Sequence, residues 1–85
     1  MSSEVRVLMF ASLADAAGIG AFSVSWSGGS VQSFIEHLNS SHPQVFHAIQ
    51  SRKSLLIAIN QLLVNKDATI RAGDEIAFMP PVTGG

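Results

Sequence analysis

The 85 residues contain no cysteine. That excludes a disulfide framework, a thiolate metal site and a cysteine nucleophile. Charge is scarce as well: 13% of residues are Asp, Glu, Lys or Arg, and the formal net charge is −1. The five cations, Arg6, Arg52, Lys53, Lys66 and Arg71, form no basic stripe. Nucleic-acid binding driven by phosphate neutralisation is therefore not expected. No apolar run approaches the roughly 20 residues that span a bilayer. Met1-Ser2-Ser3-Glu4 lacks the basic start and apolar stretch of a signal peptide. A reducing, cytoplasmic setting is the expectation, with no membrane partner.

What is abundant is aliphatic surface. Hydrophobic residues make up 47% of the chain, which excludes disorder driven by low hydrophobicity and high net charge. The length fits one small domain. Such a chain buries only about 60–65% of its unfolded surface, so the core is thin.

The pattern resolves into short elements. Glu4–Phe10 (EVRVLMF) is rich in β-branched and large apolar residues and reads as a strand. Ser12–Ala17 is a short helix stopped by Gly18. Phe22–Trp26 alternates as a half-buried strand does. Ser27-Gly28-Gly29-Ser30 is a loop in which Ser30 caps the next helix. Val31, Phe34, Ile35 and Leu38 then share one helical face. That helix ends by His42, because the residue before Pro43 is pushed out of the α region. Pro43 suits the first position of a second helical segment reaching Gln50. Leu55–Ile59 reads as a central strand, Asn60-Gln61 as a tight turn and Leu62–Val64 as a further strand. Arg71–Asp74 is a turn and Glu75–Met79 the last strand. The fold class is α+β: a mixed sheet covered on one face by one main helix. Residues 1–79 form the folded unit, and 80–85 an extended tail.

Alternation assigns the faces. If Arg6 and Glu75 face solvent, then Val5, Val7, Met9, Ile76 and Phe78 point inward. Leu8, Phe10 and Met79 are then exposed on a sheet face that nothing else in the chain covers. An apolar patch of that kind is a candidate binding surface.

Several constellations carry little chemistry. His37, His42 and His47 are five apart, matching neither i+3 nor i+4, so no metal site is expected and solvent-exposed histidines are. Asp74-Glu75 reads as a solvated turn pair without acid–base work. The Gly28-Gly29 loop lacks the lysine and spacing of a phosphate-binding loop. Arg52-Lys53 and Arg71 are candidate contacts for an acidic protein surface. No internal catalytic constellation is present.

After Met79 the sequence reads Pro80-Pro81-Val82-Thr83-Gly84-Gly85. The prolines lack amide donors, end strand pairing and favour an extended conformation. Gly84 and Gly85 fit a channel too narrow for any Cβ. The reactive group of such a tail is the α-carboxylate of Gly85.

This tail, the preceding Ala72-Gly73-Asp74-Glu75-Ile76-Ala77-Phe78-Met79, the Leu55–Gln61 segment (LLIAINQ) and Val7–Ala11 together resemble the small sulfur-carrier subunits of molybdopterin synthase. The resemblance implies a ubiquitin-like β-grasp fold. It also implies that an E1-like enzyme uses ATP and magnesium to adenylate Gly85, so that a sulfur donor can form a C-terminal thiocarboxylate. Pro80, Pro81, Val82, Thr83 and Gly84 would then insert the loaded end into the large synthase subunit. There sulfur passes to cyclic pyranopterin monophosphate, usually within a heterotetramer of two small and two large subunits. Family positions matching Phe10, Leu63 and Met79 contact the large subunit, and Met79 stands where family members often carry Phe. No permanently bound cofactor is implied. The alternatives are a carrier for thiamine or another pathway, a ubiquitin-like protein modifier, and a non-catalytic β-grasp binding module.

Overall fold

The computed structural model describes residues 3–81. Its elements run β1 (Glu4–Met9), α1 (Ser12–Ala17), β2 (Ala21–Ser25), β3 (Gly29–Ser30), α2 (Val31–Ser41), α3 (Pro43–Gln50), β4 (Leu56–Ile59), β5 (Leu62–Val64), β6 (Thr69–Ile70) and β7 (Glu75–Met79). Five strands form one mixed sheet in the order β2-β1-β7-β4-β5. β1 and β7 pair in parallel at its centre, and every other pairing in this sheet is antiparallel. The parallel pair joins the first and last strands, which forces the intervening chain to cross over the sheet. The helices occupy that crossover.

Two cross-strand rows point to opposite sides. Met9, Phe78, Ile57 and Val64 stand in register on the helix-covered face. Leu8, Ala77, Ala58 and Leu63 stand in register on the other. Helix α2 lays Val31, Phe34, Ile35 and Leu38 on the first face, all fully buried. Ser30 caps it: the Ser33 amide donates to the Ser30 hydroxyl oxygen at 3.1 Å, satisfying one free donor of the first turn. Pro43 opens α3, and His42 between the helices leaves the α region at φ −144° and ψ 73°, in keeping with the restriction on a residue before proline. Coverage is shared more widely than a single main helix: Val45, Ala48 and Ile49 of α3 and Leu13 and Ala17 of α1 are also buried. Among the described residues the buried set contains no polar or charged side chain.

Some boundaries shift. The first strand stops at Met9 because Ala11 takes a positive φ of 54°, although the Phe10 amide still donates to the Phe78 carbonyl at 3.2 Å. β2 begins at Ala21 and ends at Ser25, and β4 begins at Leu56. The segment expected to be loop before α2 contains a strand: Gly29 and Ser30 pair with Ile70 and Thr69. Gly29 sits at φ 146°, and a Cβ there would meet the Trp26 ring at 3.0 Å. The indole lies over this small sheet and donates its Nε1–H to the Ile70 carbonyl at 3.1 Å. A two-residue strand has no periodicity, so only the long-range pairing reveals it.

Candidate functional site

The uncovered sheet face carries a shallow depression of about 270 Å³. Phe10, Leu63 and Met79, the three residues expected to meet a partner, all line it, although they come from the end of β1, from β5 and from β7. Strand register explains the convergence. Leu63 is opposite Ala58, Ala58 opposite Ala77, and Ala77 opposite Leu8. Two alanines in the middle of this row make a low floor, and the larger side chains stand around it. Gln61 and Glu75 give the depression its polar edge.

Exposure is uneven. Leu63 is 67% exposed and Phe10 44%, so both offer apolar area that another protein could cover. Leu8 and Met79, expected to be exposed, are half-buried. They sit lower in the depression, on the two central strands, where flanking strands shield them. Ala58 is 7% exposed although it lies on the open side. Sequence reasoning did not assign the alanines a role. The signal was present: Ala58 and Ala77 are the small residues of otherwise large apolar strands, and alternation puts both on the outer face.

The turn at one end of this surface is tightly specified. Asn60 and Gln61 have φ of 50° and 73°, the left-handed pair of a type I′ hairpin turn. The Asn60 side chain donates to Asp74 Oδ1 and accepts from the Glu75 amide, both at 3.0 Å. Asp74 Oδ2 also accepts from the Arg71 amide at 2.9 Å. Asp74 and Glu75 are therefore half-buried rather than fully solvated, and Asp74 serves the fold by holding a turn.

The other expectations divide. His37 and His42 are half-buried: His42 stacks on Phe22 at 4.4 Å and His37 packs against Trp26 at 5.5 Å. Those rings therefore pack against aromatics where exposed histidines were expected, and only His47 is exposed. Among the described residues no group of three or more His, Cys, Asp or Glu could hold a metal ion. Pro80 and Pro81 follow β7 and are half-buried. Val82, Thr83, Gly84 and Gly85 lie outside the described residues. No helix among the described residues is long and apolar enough to cross a membrane.

A mixed sheet folded around a helix, with its opposite face open and a Gly-Gly segment following the central strand, defines a ubiquitin-like β-grasp protein. Solved structures share this fold. SAMP1 from Haloferax volcanii superposes with a TM-score of 0.77 at 26% identity, covering 96% of this chain and 99% of that one. A chain in a protein–protein complex of subunits 1 and 2 of molybdopterin-converting factor from Helicobacter pylori provides a further match. The TM-score is 0.64 at 21% identity, over 96% and 99% of the two chains. The chain belongs to the ThiS family, whose profile matches residues 7–85. The molybdopterin synthase sulfur carrier subunit of Escherichia coli is 37% identical over 81 residues, covering 95% of this chain and 99% of that protein.

Proposed function

We propose that this chain is the sulfur carrier subunit of a molybdopterin synthase, with Gly85 as its reactive end. The observation that carries the reading is the open-face depression. It gathers Phe10, Leu63 and Met79 on one surface, in a chain whose relatives are sulfur carrier subunits along nearly their whole length.

The chemistry needs little from the folded body. A carboxylate is a poor electrophile, so it must first be activated. In the proposed sequence the Gly85 carboxylate oxygen attacks the α-phosphorus of ATP, held with magnesium by an E1-like enzyme, and pyrophosphate leaves. Sulfide equivalents from a donor displace AMP from the acyl-adenylate and leave a thiocarboxylate, ionised at neutral pH. Its sulfur is a strong nucleophile, which removes any need for cysteine in this chain. The large subunit supplies the substrate pocket, the acid–base groups and the acceptor, cyclic pyranopterin monophosphate. The small subunit contributes a positioned reactant. Pro80 and Pro81 direct Val82, Thr83 and Gly84 into the large subunit, while the depression fixes where the body docks. Two copies of each subunit make the working assembly, in the cytoplasm, and no permanent cofactor belongs to this chain.

The test is intact and peptide mass after incubation with the activating enzyme, MgATP and a sulfur donor. One oxygen-to-sulfur exchange confined to the peptide ending in Gly85 is expected. Fragment-ion sequencing of that peptide is essential, because oxidation of methionine adds nearly the same mass and Met79 lies in the same tryptic peptide as Gly85. No exchange, with an enzyme competent on another carrier, would overturn the reading.

A second reading is favoured by one observation, the likeness to SAMP1, a small archaeal modifier protein. A modifier would join Gly85 to a lysine through an isopeptide bond. A ladder of conjugates in cell extract, lost when Gly84 and Gly85 are deleted, separates it from a dedicated carrier.

A further inference from the structure

Three residues other than glycine take a positive φ among the described residues: Ala11, Asn60 and Gln61. Asn60 and Gln61 form a hairpin turn, where paired positive φ angles are usual. Ala11 differs. Its φ of 54° is joined to a ψ of −130°, outside the left-handed helical well that side chains can reach. The Leu13 amide donates to the Phe10 carbonyl at 3.1 Å, so Ala11 holds the first central position of a type II′ turn. That position belongs to glycine, and an L side chain there is strained.

Packing does not explain the alanine. Ala11 is exposed and is not part of the buried core. Its conformation is held from both sides. Phe10 uses both backbone groups: its amide donates to the Phe78 carbonyl at 3.2 Å, and its carbonyl accepts from Leu13, which is fully buried. Ser12 is tied across the fold, its hydroxyl accepting from Arg52 Nη2 at 3.0 Å. The Ala11 carbonyl accepts from the Asp15 amide at 3.3 Å.

What the turn controls is Phe10. That ring is 44% exposed and lines the open-face depression with Leu8, Leu63 and Met79. It stands just past the end of β1, where regular strand pairing no longer sets the side-chain direction. The Cβ of an L residue leaves only a narrow basin at the Ala11 angles, whereas glycine has a broad one. A narrow basin between anchored neighbours limits how far the Phe10 backbone can swing.

We infer that Ala11 is a positioning residue: its strained conformation pre-orders Phe10 for the proteins that cover the open face. Pre-ordering raises affinity, because binding no longer has to fix the backbone that carries the ring. The inference rests on the proposed carrier function for the identity of the partner, and on the geometry alone for the ordering of Phe10. It also explains why a strained alanine stands where glycine would cost the fold less.

Ala11→Gly tests it, because stability and binding should part company. The melting temperature should hold or rise, by up to about 8 °C, as strain is released. Amide order parameters of Phe10 and Ser12, from nitrogen-15 relaxation on the isotope-labelled protein, should fall from about 0.85 towards about 0.6. Calorimetric titration against the large subunit should show affinity lower by about fivefold or more. In a Phe10→Ala background the same glycine should change affinity by less than about twofold, since the ring it positions is gone. A lower melting temperature, unchanged order parameters, unchanged affinity, or an equal affinity loss with and without the Phe10 ring would each overturn the inference. Failure of the unaltered protein to bind the large subunit would instead refute the carrier reading. The melting and relaxation measurements would then decide the ordering of Phe10 by themselves.

Discussion

Asn60 and Asp74, fourteen residues apart, hydrogen-bond side chain to side chain at 3.0 Å. The bond ties the β4–β5 hairpin to the turn that launches the central strand β7. Asn60 also accepts from the Glu75 amide, and its own amide donates to the Glu75 carbonyl at 2.8 Å. These bonds anchor the hairpin that carries Leu63 to the start of the strand that carries Met79.

Asn60→Ala should therefore cost about 1–3 kcal/mol, because it leaves half-buried partners unpaired and puts alanine at a left-handed φ. Urea unfolding followed by circular dichroism measures this. Gln61→Gly, at φ 73°, should act in the opposite direction, by several tenths of a kcal/mol. A loss of stability in Gln61→Gly would show that relief of turn strain does not govern this hairpin.

Leu63→Asp separates binding from folding. The side chain is 67% exposed, so stability should stay within about 0.5 kcal/mol. Affinity for the large subunit should fall by about 2 kcal/mol or more, some thirtyfold, if Leu63 is a central apolar anchor. Calorimetric titration against the large subunit gives the number. A loss below threefold would place Leu63 outside the docking surface.

Ala77→Phe fills the floor of the depression without touching the core face. The fold should persist, because the added ring projects to the open side. Large-subunit binding should fall by at least tenfold through lost shape complementarity, and an Ala77→Ser variant should bind nearly normally. Unfolding curves and titration on the same samples distinguish a blocked site from a damaged fold.

Ser30→Ala removes the cap of α2 and should cost about 1 kcal/mol. Phe34→Ala, fully buried and edge-on to Trp26 at 5.2 Å, should cost about 3–5 kcal/mol. At about 4–8 °C per kcal/mol for a domain of this size, thermal unfolding should separate the two clearly.

Local periodicity was enough for most elements. The four apolar positions of α2 recur every three or four residues, Ser30 has the chemistry of a cap, and Pro43 and Gly18 mark helix limits through their backbone restrictions. Alternation in β1 and β7 assigned each side chain to its face, because a strand has only two faces to offer. The Pro80-Pro81-Val82-Thr83-Gly84-Gly85 segment raised the expectation of a reactive terminus from residue types alone.

Tertiary structure decided what depends on pairing across the chain. The β3–β6 ribbon, the stacking of His42 on Phe22 and the union of Asn60 with Asp74 each join residues distant in sequence, and no local pattern encodes such partners. The same holds for the open-face depression. Leu8, Ala77, Ala58 and Leu63 form a row only because four strands adopt one register. A sequence sets which side of its own strand a residue faces. Which residues stand beside it is set by the long-range hydrogen bonds and core packing that choose the register.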